Sequence, residues 1–492
     1  MLDLLRRAEE SAKQAQQEAR LAREQQAELL RRLAQNTEEL SSLRQTIQGL
    51  GAQLAELKID RKEVAPQSTV SEAKTEKPLP SPDPASTPTN SEPLQTELDL
   101  LKEQIDLNTA QIKEQAQTKV ESDSKFRIKL SGMILANAFL NTNDSSLNDV
   151  PLFAPLPTTA PRKNNVGASL RQTRIGFIFE GPNLSQRLGN ARLSAEAEFD
   201  FWGGETTEVL GSLRILTASA RLDWAKTSLI VGQRQPMISP RNPTSLAATW
   251  FSPLTGAGNL WQWRPQLMLE HRIRAGEATE VQVQGGLLMP FGETVQGGTI
   301  EGGPGYESRV VWSRSLDTEQ KIEFGFGGYF HRRPFSFNRA VNSRALTGDW
   351  QVPLTQKLSL SGEVYAGRAI NLGEASGFRN DRLFVVSGLL SNPATSIRGV
   401  FSTGGWAQLS YKVNPSLDFN LAYGQDDPRN KDLLAGQVTP STRLKNQAAF
   451  ANFIWALRQN FLVSLEYRRL WTDYQNSRQR AGHYNLAFGY TF

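Results

Sequence analysis

The sequence predicts an all-β membrane protein, a 16-stranded antiparallel transmembrane β-barrel that carries an N-terminal α-helical coiled-coil stalk. Three observations support this prediction. Apolar and polar residues alternate with a period of two in sixteen segments between residues 126 and 492. The connections between those segments are alternately short and long. The chain before them carries heptads and a proline-rich stretch instead.

One segment, residues 191–204, shows what the alternation requires. Its sequence, ARLSAEAEFDFWGG, places alanine, leucine and phenylalanine on one face and charged residues on the other. Successive side chains of a strand point to opposite faces, so this strand needs an apolar environment on one side and water on the other. A globular core or a lipid bilayer could supply the apolar side. Glu196, Glu198 and Asp200 belong to the water-facing side.

The lengths of the connections favour the bilayer over a soluble β-sandwich. Short turns such as DWAKTS at 223–228 follow every second strand, whereas excursions such as 141–169 and 371–400 follow the others. Short turns on one rim and long loops on the other are typical of an even-stranded transmembrane barrel. Such a sheet closes on itself because every backbone N–H and C=O in a bilayer needs a partner. No run of about 18 apolar residues is present, so the sequence predicts no membrane-spanning helix.

Residues 1–63 are predicted to form one long coiled-coil helix. Two heptad positions, counted from Leu5 and Ala8, stay predominantly apolar for eight heptads. This two-position seam indicates a coiled coil, although an amphipathic helix on a globular surface has a related pattern. Residues 64–93 contain seven prolines and are expected to be an extended linker. A short second coiled-coil helix is predicted at 94–118, and the barrel domain at 124–492.

Charge is distributed unevenly between the two parts of the chain. Residues 1–125 contain 17 Lys and Arg against 22 Asp and Glu, a net charge of −5. Residues 126–492 contain 38 against 28, a net charge of +10. The composition of the barrel region therefore favours a channel or surface that attracts anions.

The residue types present argue against an enzyme. There is no cysteine, which excludes disulfides, zinc-thiolate sites and a cysteine nucleophile. The three histidines are His271, His331 and His483, and a structural or loop role is favoured for each. The glycine-rich stretch 297–305 is followed by neither the lysine nor the helix of a phosphate-binding loop. We predict no cofactor, no metal site and no nucleic-acid partner.

The last strand and the first hairpins resemble a known family. The final segment, HYNLAFGYTF, ends on Tyr490 and the terminal Phe492 with alternating apolar residues before them. This pattern resembles the assembly signal of Gram-negative outer-membrane barrels. The stretch RQTRIGFIF at 171–179, followed by ARLSAEAEFDF and LDWAKTSLIVGQ, resembles the opening hairpins of DcaP-like and phosphate-selective-type porins. An N-terminal coiled coil before a 16-stranded barrel is the DcaP-like arrangement.

This resemblance implies a homotrimeric outer-membrane porin, a passive diffusion channel for small anionic solutes such as dicarboxylates. It implies contacts with the lipid bilayer, with lipopolysaccharide and, through Tyr490 and Phe492, with the barrel-assembly machinery. The stalk would lie in the periplasm, where peptidoglycan or another cell-wall component is a further candidate partner. The alternative function is a structural tether between the outer membrane and the cell wall, with the barrel as an anchor. No signal peptide is visible, so we expect that it has been removed or lies upstream.

In such porins the third long loop folds into the lumen and narrows it, and here that loop spans residues 234–259. It carries Arg234 and Arg241, four prolines and no acidic residue. Arg174 and Arg264 share the inward parity of their strands. These four arginines are the predicted pore constriction and anion-binding site, because a planar guanidinium donates two hydrogen bonds to carboxylate or phosphate. The predicted lumen wall comprises Glu196, Glu198, Asp200 and Arg272.

Two less specific explanations of these arginines stay open. The inward arginines could pair with the strand carboxylates, including Glu363, across a solvated lumen. Alternatively, the positive charge could come from arginines of the outer loops that bind acidic lipopolysaccharide, namely Arg332, Arg333, Arg339 and Arg344. The alternation gives Arg171 a lipid-facing position unless a bulge intervenes.

Overall fold

The computed structural model describes residues 119–120, 127–157, 164–203, 212–249, 251–290, 302–317, 320–370, 384–435 and 439–492. The predicted coiled-coil helix (1–63), linker (64–93) and second helix (94–118) lie outside the described residues. The predicted barrel domain, by contrast, is described over most of its length.

Sixteen antiparallel strands form the barrel, which confirms the number predicted from the alternation. The second strand consists of two segments with residues 170–173 between them. The strands are β1 Arg127–Asn141, β2 Asn165–Ser169 and Arg174–Asn183, β3 Arg192–Gly203, β4 Ser212–Asp223, β5 Thr227–Arg234, β6 Arg264–Arg274, β7 Thr279–Leu288, β8 Gly305–Ser315, β9 Lys321–Phe335, β10 Arg339–Pro353, β11 Leu358–Arg368, β12 Phe401–Asn414, β13 Leu417–Pro428, β14 Arg443–Arg458, β15 Phe461–Tyr474 and β16 Arg478–Thr491.

The sheet closes because the first strand pairs with the last. The register of β1 and β16 runs from Met133 opposite Thr491 to Asn141 opposite His483. The terminal Phe492 exchanges backbone hydrogen bonds of 3.0 and 3.1 Å with Gly132. Each of the other strands is antiparallel to its neighbours along the chain. Closure pairs the edge groups of the sheet, which a bilayer requires.

Side chains alternate between the two surfaces of the wall. In β8, Tyr306 and Val310 are exposed, whereas Glu307 and Arg309 are buried. Large apolar side chains are exposed at alternate positions of the other strands as well, for example Phe326 on β9. The outer wall is therefore apolar and the inner wall largely polar, which is the arrangement of a membrane-spanning barrel. Among the described residues, no helix has the length and apolar character needed to cross a bilayer.

The connections differ between the two rims of the barrel. On the short-turn rim, the turns after β4, β6, β10 and β12 contain residues 224–226, 275–278, 354–357 and 415–416. On the long-loop rim, the connections include residues 142–164, 235–263 and 369–400, the last with a small hairpin of Phe384–Ser387 and Ser396–Gly399. Two connections on this second rim, 336–338 and 475–477, are short as well. All the long connections named here therefore lie on one rim, as predicted, but that rim also carries two short connections.

The interruption of β2 changes the orientation of Arg171. Residues 170–173 form a turn, in which the Thr173 N–H donates to the Leu170 carbonyl at 3.0 Å. Arg171 consequently points inward, where its Nη2 lies 3.1 Å from Asp149 Oδ2 and its guanidinium stacks 3.9 Å above the ring of Trp202. Simple alternation places this residue towards lipid, so the break in the strand is the reason for the difference.

Candidate functional site

The third long connection, residues 235–263, folds into the barrel. Loops usually run over protein surfaces, yet Ile238, Ala247, Leu254 and Ala257 are nearly inaccessible to solvent. Its backbone polar groups therefore need partners inside the barrel. Inward side chains of several strands provide these partners.

Two buried carboxylates hold the first part of this loop. Glu307 Oε2 on β8 accepts a 2.7 Å hydrogen bond from the Met237 N–H. Glu363 on β11 accepts hydrogen bonds from the Arg241 N–H at 2.6 Å and from the Ser239 hydroxyl at 2.8 Å. Without these acceptors the buried N–H groups of the loop would lack hydrogen-bond partners, which is costly. The two carboxylates thus position the loop against β8 and β11.

Arg241 completes this attachment. Its Nε donates to Asp349 Oδ1 at 2.8 Å, and its Nη2 lies 3.5 Å from Glu323 Oε2. Asp349 also accepts two hydrogen bonds from Arg309, of 2.8 and 2.9 Å. One buried aspartate therefore serves two guanidinium groups, one from the loop and one from the wall. In this arrangement Arg241 anchors the loop to β10.

The middle of the loop is held by amide side chains and by Arg468. The Thr244 N–H donates to Gln408 at 2.7 Å, and the Thr244 carbonyl accepts from Asn452 at 2.9 Å. Further along, the Thr249 N–H donates to Gln172 at 2.7 Å, and Arg468 donates to the Pro253 carbonyl at 3.2 Å. Gln172 belongs to the interruption of β2, so that break supplies a loop partner as well as reorienting Arg171.

An apolar cluster fills the lumen beside β12–β16. Leu254 and Ala257 of the loop pack against inward side chains of those strands, among them Trp406, Phe450 and Leu470. Each of these residues is at most 3% exposed. The loop packs directly against these inward apolar residues, and this contact forms a seal on this side of the barrel. We call the inner surface of β8–β15, which holds the loop, the anchoring wall.

The other side of the loop borders a cavity of about 630 Å³. We call the inner surface of β2–β7, which faces this cavity, the open wall. Its charged lining residues are Arg174, Glu196, Glu198 and Arg234, and Arg309 reaches the cavity from β8. Trp261 and Trp263 line it from the far end of the loop, with their ring centroids 4.3 Å apart. The cavity is therefore polar and charged on the barrel wall and partly aromatic on the loop.

The charged groups of the open wall form solvated pairs. Arg174 Nη1 lies 3.3 Å from Glu198 Oε1, and Arg234 Nε lies 3.3 Å from Glu196 Oε1. The four side chains keep between 24% and 42% of their accessible surface. Partly hydrated pairs of this kind contribute little to stability. They leave both charge signs available to a solute that enters the cavity.

The remaining predicted site residues lie elsewhere on the inner wall. Arg264 is buried beside Gln262, its hydrogen-bond acceptor, and does not border the cavity. Arg272 lies near the short-turn rim, where it donates to Ser228 at 2.9 Å and lies 3.7 Å from Asp223. Asp200 is inaccessible and accepts from Arg214. The structure thus brings Arg174 and Arg234 together at the cavity but separates Arg241, Arg264 and Arg272 from it.

Sequence reasoning missed Arg309 and Asp149. Arg309 shares its parity with Glu307 in a clearly alternating segment, so the same pattern that identified Arg174 could have identified it. Asp149 lies in the first long loop, where no periodicity exists. Burial raises the pKa of its carboxyl, and the neighbouring Arg171 guanidinium opposes that rise. Within the part of the chain that the structure describes, no cluster of three His, Cys, Asp or Glu residues could hold a metal ion.

Comparisons with known proteins address the fold. No protein-family model and no curated protein matches this chain. The outer membrane channel DcaP of Acinetobacter baumannii superimposes with a TM-score of 0.60 and 15% identity, over 76% of this chain and 99% of that one. An anion-selective porin from Comamonas acidovorans superimposes with a TM-score of 0.48 and 11% identity, over 75% of this chain and 100% of that one. The chain therefore has the barrel fold of DcaP, which the sequence resemblance implied.

Proposed function

We propose that this protein is a passive diffusion channel of the bacterial outer membrane that prefers small anionic solutes, such as dicarboxylates. The observation that supports this most directly is the cavity beside the inserted loop. A solute that crosses the barrel passes the open wall, since the apolar cluster closes the other side. The fold shared with the DcaP channel is consistent with such transport.

The charge around the cavity predicts a modest preference. Three arginines (Arg174, Arg234 and Arg309) and two glutamates (Glu196 and Glu198) line it, an excess of one positive charge. A ring of fixed charges in a narrow pore selects ions of the opposite sign. Because the excess is small, we expect weak selectivity that declines as salt rises, since the Debye length falls from about 10 Å at 0.1 M to about 3 Å at 1 M.

Reversal potentials of the purified protein in planar bilayers test this proposal. With a salt gradient across the bilayer, the wild type should favour the anion. Replacing Arg174 and Arg234 together by glutamine should remove that preference, because the lining then carries a net negative charge. Arg480→Gln is the matched control, since Arg480 is an exposed arginine of β16 that does not border the cavity. A silent barrel would contradict the channel and support the tether.

We further propose that the barrel is a homotrimer whose N-terminal stalk lies in the periplasm. The trimer is inferred from the DcaP-like arrangement, and mass measurement in mild detergent tests it. A monomer would contradict it. We propose that the stalk reaches the cell wall, for which binding of the full chain to purified peptidoglycan is the test.

We also propose that Tyr490 and Phe492 are recognised by the barrel-assembly machinery. Both are exposed on the outer wall, at the strand pair that closes the barrel. Deleting Phe492 should lower the amount of heat-modifiable barrel in the membrane. Unchanged amounts would contradict a role in recognition.

A further inference from the structure

A row of aromatic and basic residues crosses the outer wall near the long-loop rim. Tyr306 on β8 is opposite Phe330 on β9, and Phe330 is opposite Arg344 on β10. The same row continues through Arg368 on β11 to Phe401 on β12. Arg429, which follows β13, joins it because its N–H donates to the Phe401 carbonyl at 2.7 Å. Three arginines therefore lie at one height on the outside of the barrel.

The central pair of this row is electrostatically unfavourable without a ligand. Arg344 and Arg368 are direct cross-strand partners, and like charges in that position destabilise a sheet. Arg368 is partly compensated, since its Nη1 donates to the Gly399 carbonyl at 2.7 Å and lies 3.8 Å from Asp432. Arg344 is exposed, and among the described residues no carboxylate lies within 4.0 Å of its guanidinium.

Arg429 adds a third positive group. It is exposed, and its guanidinium lies 4.5 Å above the ring of Phe401. A cation held over an aromatic face is oriented without being neutralised. The three guanidinium groups consequently form a positively charged cluster that a multiply charged anion could neutralise.

Below this cluster the outer wall is hollowed into a groove. The next row towards the middle of the barrel consists of Ser308, Gly328, Leu346 and Ala366, each opposite the next. Three of these four residues are small, so the surface is recessed on both sides of Leu346. The groove has a volume of about 830 Å³, and the three arginines border it together with Phe330 and Leu346. Phe330 is 45% and Leu346 59% exposed.

We propose that this groove binds lipopolysaccharide from the surrounding outer leaflet. A phosphate of the glycolipid would lie among Arg344, Arg368 and Arg429, since guanidinium groups bind phosphate through paired hydrogen bonds. An acyl chain would occupy the groove against Phe330 and Leu346. The relative positions of the arginine cluster and the groove favour an amphiphilic ligand. The arginines lie towards the rim of the barrel, and the apolar groove lies towards the membrane core. This site is on the outer wall and is independent of the proposed transport through the lumen.

Lipid binding to the purified full chain tests the proposal. The protein is freed of lipopolysaccharide in detergent and titrated with purified lipopolysaccharide, followed by native mass spectrometry. We expect saturable binding, weakened about tenfold for each arginine replaced in the series R344Q, R368Q and R429Q. Arg480→Gln is the matched control, because Arg480 is an exposed arginine of β16 outside the groove. It should bind as the wild type does.

Further measurements separate this proposal from simpler explanations. Dephosphorylated lipopolysaccharide should bind at least tenfold more weakly, and inorganic phosphate at millimolar concentration should not displace the lipid. Equal affinity of the triple variant and the wild type would overturn the site, as would full displacement by inorganic phosphate. Heat-modifiable migration and unchanged single-channel conductance establish that the variants are folded, so failure of the lipid site and failure of the channel are distinguishable.

Discussion

The anchoring wall and the open wall carry the same charged residue types but use them differently. At the anchoring wall, the loop residue Arg241 keeps 15% of its side-chain surface and its wall partner Asp349 keeps 3%. On the open wall, Arg234 keeps 32% and Glu196 keeps 42%. The distances within the two pairs differ by only 0.5 Å, being 2.8 and 3.3 Å. Hydration, more than separation, therefore distinguishes an anchor from a solute-facing pair.

The two kinds of ion pair differ in the free energy that is lost when one partner is removed. Removing one partner of a buried pair leaves an uncompensated charge in a medium of low dielectric constant, which is strongly destabilising. Removing one partner of a hydrated pair exposes the other to water at little cost. The anchoring wall should therefore respond to substitution mainly through stability and loop position. The open wall should respond mainly through ion selectivity.

The largest effect is expected for Asp349→Asn. This change keeps the shape of the side chain but leaves the Arg241 and Arg309 guanidinium groups without their shared counter-charge. We expect a loss of about 3–5 kcal/mol in the free energy of unfolding, together with a noisier and higher single-channel conductance as the loop detaches. Denaturant unfolding and bilayer recording measure the two effects.

Asp418→Asn is the matched control for this experiment. Asp418 is an exposed residue of β13 near the short-turn rim, and its replacement should change stability little. Equal stability of the two variants would show that Asp349 does not anchor the loop.

A smaller loss of stability is expected for Leu254→Ala. This variant tests whether the apolar cluster seals its side of the barrel. Leu254 is 1% exposed and packs in the cluster beside β12–β16. Truncating a buried leucine costs about 2–5 kcal/mol through lost burial and a cavity. We also expect added conductance if water enters the vacated space. Leu346→Ala, an exposed leucine of the outer wall, is the control, and the same conductance in both variants would contradict a seal.

The smallest effect on stability is expected on the open wall. Replacing Glu196 and Glu198 by glutamine leaves Arg174 and Arg234 facing the cavity without counter-charges. Anion preference should increase at 0.1 M salt and return towards the wild-type value at 1 M, while the unfolding transition moves by about 1 kcal/mol or less. Reversal potentials at the two salt concentrations measure this. A shift of the same size at both would place the controlling charges outside the solvated cavity.

Much of this architecture could be predicted from local sequence. The number of strands and the inward direction of Glu196 followed from alternation, because the period of two is a property of the extended chain. The third long loop, predicted at 234–259, was expected inside the lumen from the resemblance to porins, and the connection that the structure places at 235–263 does lie there. For Arg171, alternation gave a lipid-facing position unless a bulge intervened. The break of four residues in β2 is such an irregularity, and alternation carries no information about where it occurs.

The roles of the arginines depended on contacts between residues far apart in the chain. Arg241 and Arg234 are seven residues apart in one acid-free stretch of the chain and look equivalent in sequence. Arg241 meets Asp349, 108 residues away, whereas Arg234 meets Glu196 across the open wall. The sequence by itself determined the barrel, the apolar outer wall and the surplus of basic residues, since these depend on periodicity and composition. The tertiary structure decided which charges are buried and which remain hydrated, because burial depends on where the inserted loop lies against each strand.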